Sequence, residues 1–122
     1  RKPTWDEARF DIGAQDAATS RVEAAAIRAQ VRALLGDDGV ALVPSASSPP
    51  PLRGAAEADV DALRARTMRI TCVAGLAGLP QVSLPWSGPA GEPIGLSLVG
   101  PAGSDLALIR LARELASGLA AV

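Results

Sequence analysis

Histidine and tyrosine are both missing from this sequence, and cysteine occurs once, at Cys72. A lone cysteine excludes an internal disulfide, and without histidine the chain cannot supply a conventional Cys/His zinc set. The expected compartment is therefore reducing and the expected chain metal-free. Aromatic side chains are scarce, limited to Trp5, Phe10 and Trp86. Much of the hydrophobic 48% is alanine, so tight helix packing inside something larger is expected rather than a core of bulky rings. Twelve basic residues balance thirteen acidic ones, and the basic ones form no run that would neutralise a row of phosphates, which argues against nucleic acid as a partner. No stretch approaches the roughly twenty consecutive apolar residues of a membrane span, and no hydrophobic run follows the positive charge at the N-terminus. The location expected is the cytoplasm, with no membrane partner. A chain of 122 residues that opens on Arg1 fits one small domain at most, and fits a fragment or processed product.

What is present reads as alternating helices and short strands. Ile27, Val31 and Leu34/Leu35 recur at helical spacing within Ala17 to Leu35, and Gly36 is a stop signal. Val40-Ala41-Leu42-Val43, ending in Pro44, is a short apolar run of the kind expected for a strand buried on both faces. Ser45 to Ala56 carries Pro49-Pro50-Pro51 and Gly54, and predicts a loop. A second helix is predicted from Glu57, with carboxylates first and Arg64, Arg66 and Arg69 later, and with Val60, Leu63, Thr67, Ile70 and Ala74 facing inward. Gln81–Leu84 and Ile94–Val99 read as strands joined by a turn on Gly88-Pro89 and Gly91, a hairpin or near neighbours. Ser104 is placed to cap a last helix with Leu108, Leu111, Ala112, Leu115 and Leu119 in its stripe. These elements predict an α/β layer arrangement of about three strands and three helices, in one partial domain spanning 1–122. Three strands leave sheet edges in need of partners.

The order of motifs from Val40 to Ala116 resembles the C-terminal portion of the amidase signature family. The resemblance rests on Pro44-Ser45 ending a strand, the proline-rich loop and helix, then Ala77-Gly78-Leu79-Pro80, Val82-Ser83-Leu84-Pro85, Pro93 to Gly100, and Ser104-Asp105. It implies part of a mixed-sheet α/β/α fold and a parent hydrolase that cuts a carboxamide through a serine acyl-enzyme without a cofactor. It also implies a nucleophilic serine, a second serine and a lysine base in an N-terminal Gly/Ser-rich stretch. No such stretch is present here, and the only lysine, Lys2, lies outside the region of resemblance. No catalytic residue is therefore assigned to this chain.

Other chemistry is weak. Ser45, Ser47 and Ser48 have no base near them in sequence, and serines in proline-rich turns serve local backbone hydrogen bonds. Cys72 among Ile70, Val73 and Ala74 reads as a small hydrophobe. In the family that this chain resembles, the matching helix end approaches the substrate cavity, so Cys72 and Leu76 are candidates to line an acyl or amide pocket, with core packing as the other reading. Asp37-Asp38 and Glu57/Asp59/Asp61 fit a turn and a helix start. Gly100 to Ser104 lacks the Lys-Ser/Thr of a P-loop. Trp5 and Trp86 read as surface or interface aromatics.

The expected partner is a small amide, reached through the missing N-terminal half, and a homo-oligomeric parent is compatible with the sequence. The segment Cys72 to Val82 looks closer to small-molecule amidases than to the A-type subunit of a transfer-RNA amidotransferase. Two alternatives from other classes stand beside this: a non-catalytic α/β interaction module or decayed remnant, and one chain of a two-chain enzyme.

Overall fold

A computed structural model describes residues 14–120, so Lys2, Trp5 and Phe10 lie outside the described residues. Six elements follow one another: α1 (Ala14–Leu35), β1 (Ala41–Pro44), α2 (Glu57–Ala77), β2 (Gln81–Ser87), β3 (Pro93–Val99) and α3 (Asp105–Ala120). The three strands form one sheet in the order β1-β3-β2, and both pairings are antiparallel. Gln81 lies opposite Val99 and Ser87 opposite Pro93, so β2 and β3 are the predicted hairpin. β1 joins the other side of β3, with Ala41 opposite Val99 and Pro44 opposite Leu96.

Side chains alternate between the two faces of a strand, and the register assigns each one. Ala41, Val43 and Val99 share a face with Ser83 and Ser97, and there Val99 meets Ala74, Ala77 and Leu79, with Val31 and Leu35 of α1 packed around them. On the opposite face Leu84 and Leu98 meet Leu108 and Ala112 of α3, with Val82 and Leu111 alongside. Two small cores thus sandwich one sheet, giving helix, sheet and helix layers as expected.

Local chemistry explains the ends of the elements. α2 turns its half-buried Val60, Leu63, Thr67 and Ile70 and its buried Ala74 inward, the predicted face. It stops at Gly78, whose φ of 63° is left-handed; the Gly78 amide donates to the Gly75 carbonyl and the Leu79 amide to the Ala74 carbonyl. That pairing is a Schellman ending, with buried Leu79 as its apolar contact. Pro85 lies in β2, an edge strand, where a missing amide hydrogen is tolerated.

Three expectations change. β1 is not buried on both faces: it is an edge strand, and Leu42 is 61% exposed because α3 rests on β2 and β3 rather than reaching across the sheet. In α1 only part of the apolar spacing faces inward. Val31 and Leu35 reach the core, whereas Ile27 and Leu34 are exposed. Ser104 occupies the start of α3, its carbonyl accepting from the Leu108 amide at 2.8 Å, but its hydroxyl donates back to the Pro101 carbonyl at 2.7 Å instead of capping.

Candidate functional site

The proline-rich segment between β1 and α2 and the end of the β2–β3 hairpin flank a concave part of the surface. Two depressions, of about 420 and 430 Å³, share Ala46, Ser48, Ile94 and Gly95, with Trp86 at one end and α2 residues Leu63 and Met68 at the other. A third, of about 600 Å³, lies beyond Trp86 against Ala116 of α3. Trp86 is half-exposed between two of them, in keeping with its reading as a surface or interface aromatic.

The root of the proline-rich segment is held by hydroxyls. Ser45 Oγ lies 2.6 Å from Ser97 Oγ, and Ser97 Oγ lies 2.8 Å from Ser83 Oγ, so a ladder of three serines runs from the loop after β1 across β3 to β2. It starts where β1 has just ended: the Ser45 amide donates to the Gly95 carbonyl at 2.9 Å, carrying the pairing one residue past Pro44. Ser45 fits there because residue 95 has no side chain; a Cβ on Gly95 would come within 2.5 Å of Ser45 Oγ. The close approach expected of a strand glycine is therefore made by this serine. Ser47 is held by α2, its hydroxyl 3.0 Å from Thr67 Oγ1 and its amide donating to the same oxygen at 3.3 Å. Ser48 Oγ donates to the neighbouring Pro49 carbonyl at 3.0 Å.

Of the three loop serines, then, Ser48 makes the expected local bond. Ser45 and Ser47 do not; their side chains bond to residues 52 and 20 positions away. The reason is geometric, since the loop folds back onto strand and helix instead of closing on itself. Ser83 and Ser97 escaped the sequence reading. The signal available was a serine flanked by apolar residues inside each strand, Val82-Ser83-Leu84 and Leu96-Ser97-Leu98, at positions that register later brings together.

Cys72 and Leu76 sit one turn apart on α2 and share a face. Cys72 is half-buried and Leu76 partly exposed, with the Leu76 carbonyl accepting from Arg28 Nε at 3.2 Å. The depressions beside the loop are lined by other residues. The acidic groups behave as turn and helix-start residues, with Asp61 paired to Arg64 at 3.0 Å on the exposed side of α2. Among the described residues no three of His, Cys, Asp and Glu gather as metal ligands would.

Comparison with known proteins gives a consistent picture. The family model described as Amidase matches residues 7–109. The chain is 38% identical over 94 residues to "Amidase 1" of Oryza sativa subsp. japonica, covering 74% of this chain and 22% of that protein. It is 37% identical over 84 residues to "Amidase 1" of Arabidopsis thaliana, covering 69% and 20%. A more distant relative, "Translocon at the outer membrane of chloroplasts 64" of Pisum sativum, is 27% identical over 101 residues, covering 83% and 17%. The chain spans about a fifth of the length of these relatives.

Proposed function

The chain belongs to the amidase family, and on that premise we propose that it is the C-terminal wall of a serine amidase whose nucleophile and base reside in sequence outside these 122 residues. The observation that carries this reading is a match to the family over residues 7–109 in a chain that spans only a fifth of its relatives. The absence of histidine from the sequence, and of lysine among the described residues, supports it by leaving no base of the usual kind beside the loop serines.

In the parent enzyme a serine Oγ attacks the amide carbon, the C–N bond breaks, and ammonia or an amine leaves with a proton. Water then cleaves the acyl ester and returns the serine hydroxyl. No cofactor takes part. This chain contributes the sheet, its covering helices and one side of the cavity; Cys72 and Leu76, which lie off the depressions beside the loop, are proposed to face the amide end once the upstream sequence closes the cavity. Small carboxamides are the substrate class, as the Cys72 to Val82 segment implies, and the cytoplasm is the proposed location. Among the described residues no helix is long and apolar enough to cross a membrane.

The test is to express the full reading frame and follow ammonia release from short aryl- and alkylacetamides. Release that is abolished by replacing an upstream serine and by replacing an upstream lysine supports the proposal. A folded full-length protein that turns over none of these amides counts against it. Such an outcome favours the non-catalytic reading.

A further inference from the structure

Each serine hydroxyl carries one hydrogen, and Ser97 is 0% exposed. Its hydrogen must therefore go to Ser45 or to Ser83, while its oxygen accepts from the other. Ser83 is exposed, so water can replace anything it loses. Ser45 is half-buried against Gly95, and Ser97 is the partner that its hydroxyl has in the ladder. Two residues further on, Ser47 is fastened to Thr67. Between and beside these two anchors, Ala46 and Ser48 face both depressions that share Ile94 and Gly95. The tip of the loop has local bonds, Ser48 to the Pro49 carbonyl and the Ala55 amide to the Leu52 carbonyl. The position of the whole segment is thus set at its root.

We propose that Ser97 is a positioning residue for substrate binding: through Ser45 it fixes the root of the proline-rich segment and hence the width of the cleft that receives the acyl part of the amide. The substrate half of this statement rests on the amidase reading; the anchoring half stands apart from it. Ser97 touches no substrate in this scheme. Its effect passes through Ser45 to the cleft wall at Ala46 and Ser48.

The experiment uses the full-length protein with three variants. Ser97→Ala removes the hydroxyl, Ser97→Cys keeps the volume with a weak donor, and Gly95→Ala pushes Ser45 away while leaving Ser97 intact. Hydrogen exchange is read at the Ser45 and Ser47 amides and, as a control, at Val82 and Leu98 in the hairpin. All three variants are expected to accelerate exchange at Ser45 and Ser47 by about tenfold, the scale of one lost hydrogen bond, with the hairpin amides unchanged. Across amides of increasing acyl size, KM is expected to change several-fold for the largest while kcat stays within about twofold, since ground-state and transition-state binding alter together.

Unchanged exchange at Ser45 and Ser47 overturns the proposal. So does faster exchange with an unaltered dependence of KM on acyl size, or a loss confined to kcat. A wild-type protein that hydrolyses no amide sinks the amidase reading instead, and the exchange comparison still decides whether Ser97 anchors the loop. Should Ser97→Ala unfold the protein, the hairpin amides would report it and Gly95→Ala would carry the test.

Discussion

At the scale of single residues, the end of α2 is held from outside its own sequence. Its last turn contains no basic residue, and the carbonyls there carry the negative end of the helix dipole. Arg32 of α1 fills that role, donating from Nε to the Ala77 carbonyl at 2.9 Å and from Nη2 to the Gly78 carbonyl at 3.3 Å, while Arg28 reaches the Leu76 carbonyl. Arg32→Ala is expected to cost about 1–2 kcal/mol, seen as a lower urea midpoint at unchanged slope. Arg32→Lys is expected to recover less than half of that, because an ammonium lacks the planar fork that meets two carbonyls at once. Gly78 and Pro80 act through their own backbone, so a glycine followed two positions later by a proline marks this helix end in the sequence itself. The two arginines were not, because they lie 45 to 48 positions from the carbonyls they serve. The same holds for Ser45, whose partner Ser97 is fixed by strand register.

Among the elements, α3 shows how sharply burial divides neighbouring residues. Leu108 is 2% exposed against Leu84 and Leu98, whereas Leu106, two positions earlier, is 71% exposed. Leu108→Ala is expected to destabilise the fold by about 2–5 kcal/mol and Leu106→Ala by less than about 0.5 kcal/mol, measured by the same denaturant titration. The helical period made Leu108, Leu111 and Ala112 readable, though Leu115 of the same expected stripe is exposed; Gly and Pro marked the end of α2 and the start of β2, whereas β2 runs past the expected Leu84 to Ser87, since an edge strand tolerates Pro85. β1 was misread because an apolar composition of four residues says nothing about how far a covering helix extends. Its Leu42 lies on the face that α3 covers only in part. An apolar strand records what its neighbours must be, and those neighbours need not all be close in sequence.

For the whole molecule, the notable quantity is apolar surface left open: Leu42 and Val40 at the β1 edge, Met68, Val73 and Leu76 along α2, and Ile27 and Leu34 on α1. The 122-residue polypeptide alone is expected to bind an apolar fluorescent dye strongly and to elute larger than a monomer. The full-length protein is expected to do neither, and sharp near-UV dichroism with monomeric elution of the short chain would count against that. The family was legible because several punctuating motifs stand in one order, whereas the cavity was not, since its walls meet only after folding. The strand order β1-β3-β2 also bears on time. As the polypeptide is made from its N-terminus, β1 emerges first, yet its pairing partner arrives about fifty positions later, at the separation of Ser45 from Ser97. β2 and β3 are close in sequence and can pair as soon as both exist, whereas β1 can pair with β3 only once that last strand has been made. The strand that roots the cavity wall is thus the first of the three to be synthesised, and its pairing depends on the last.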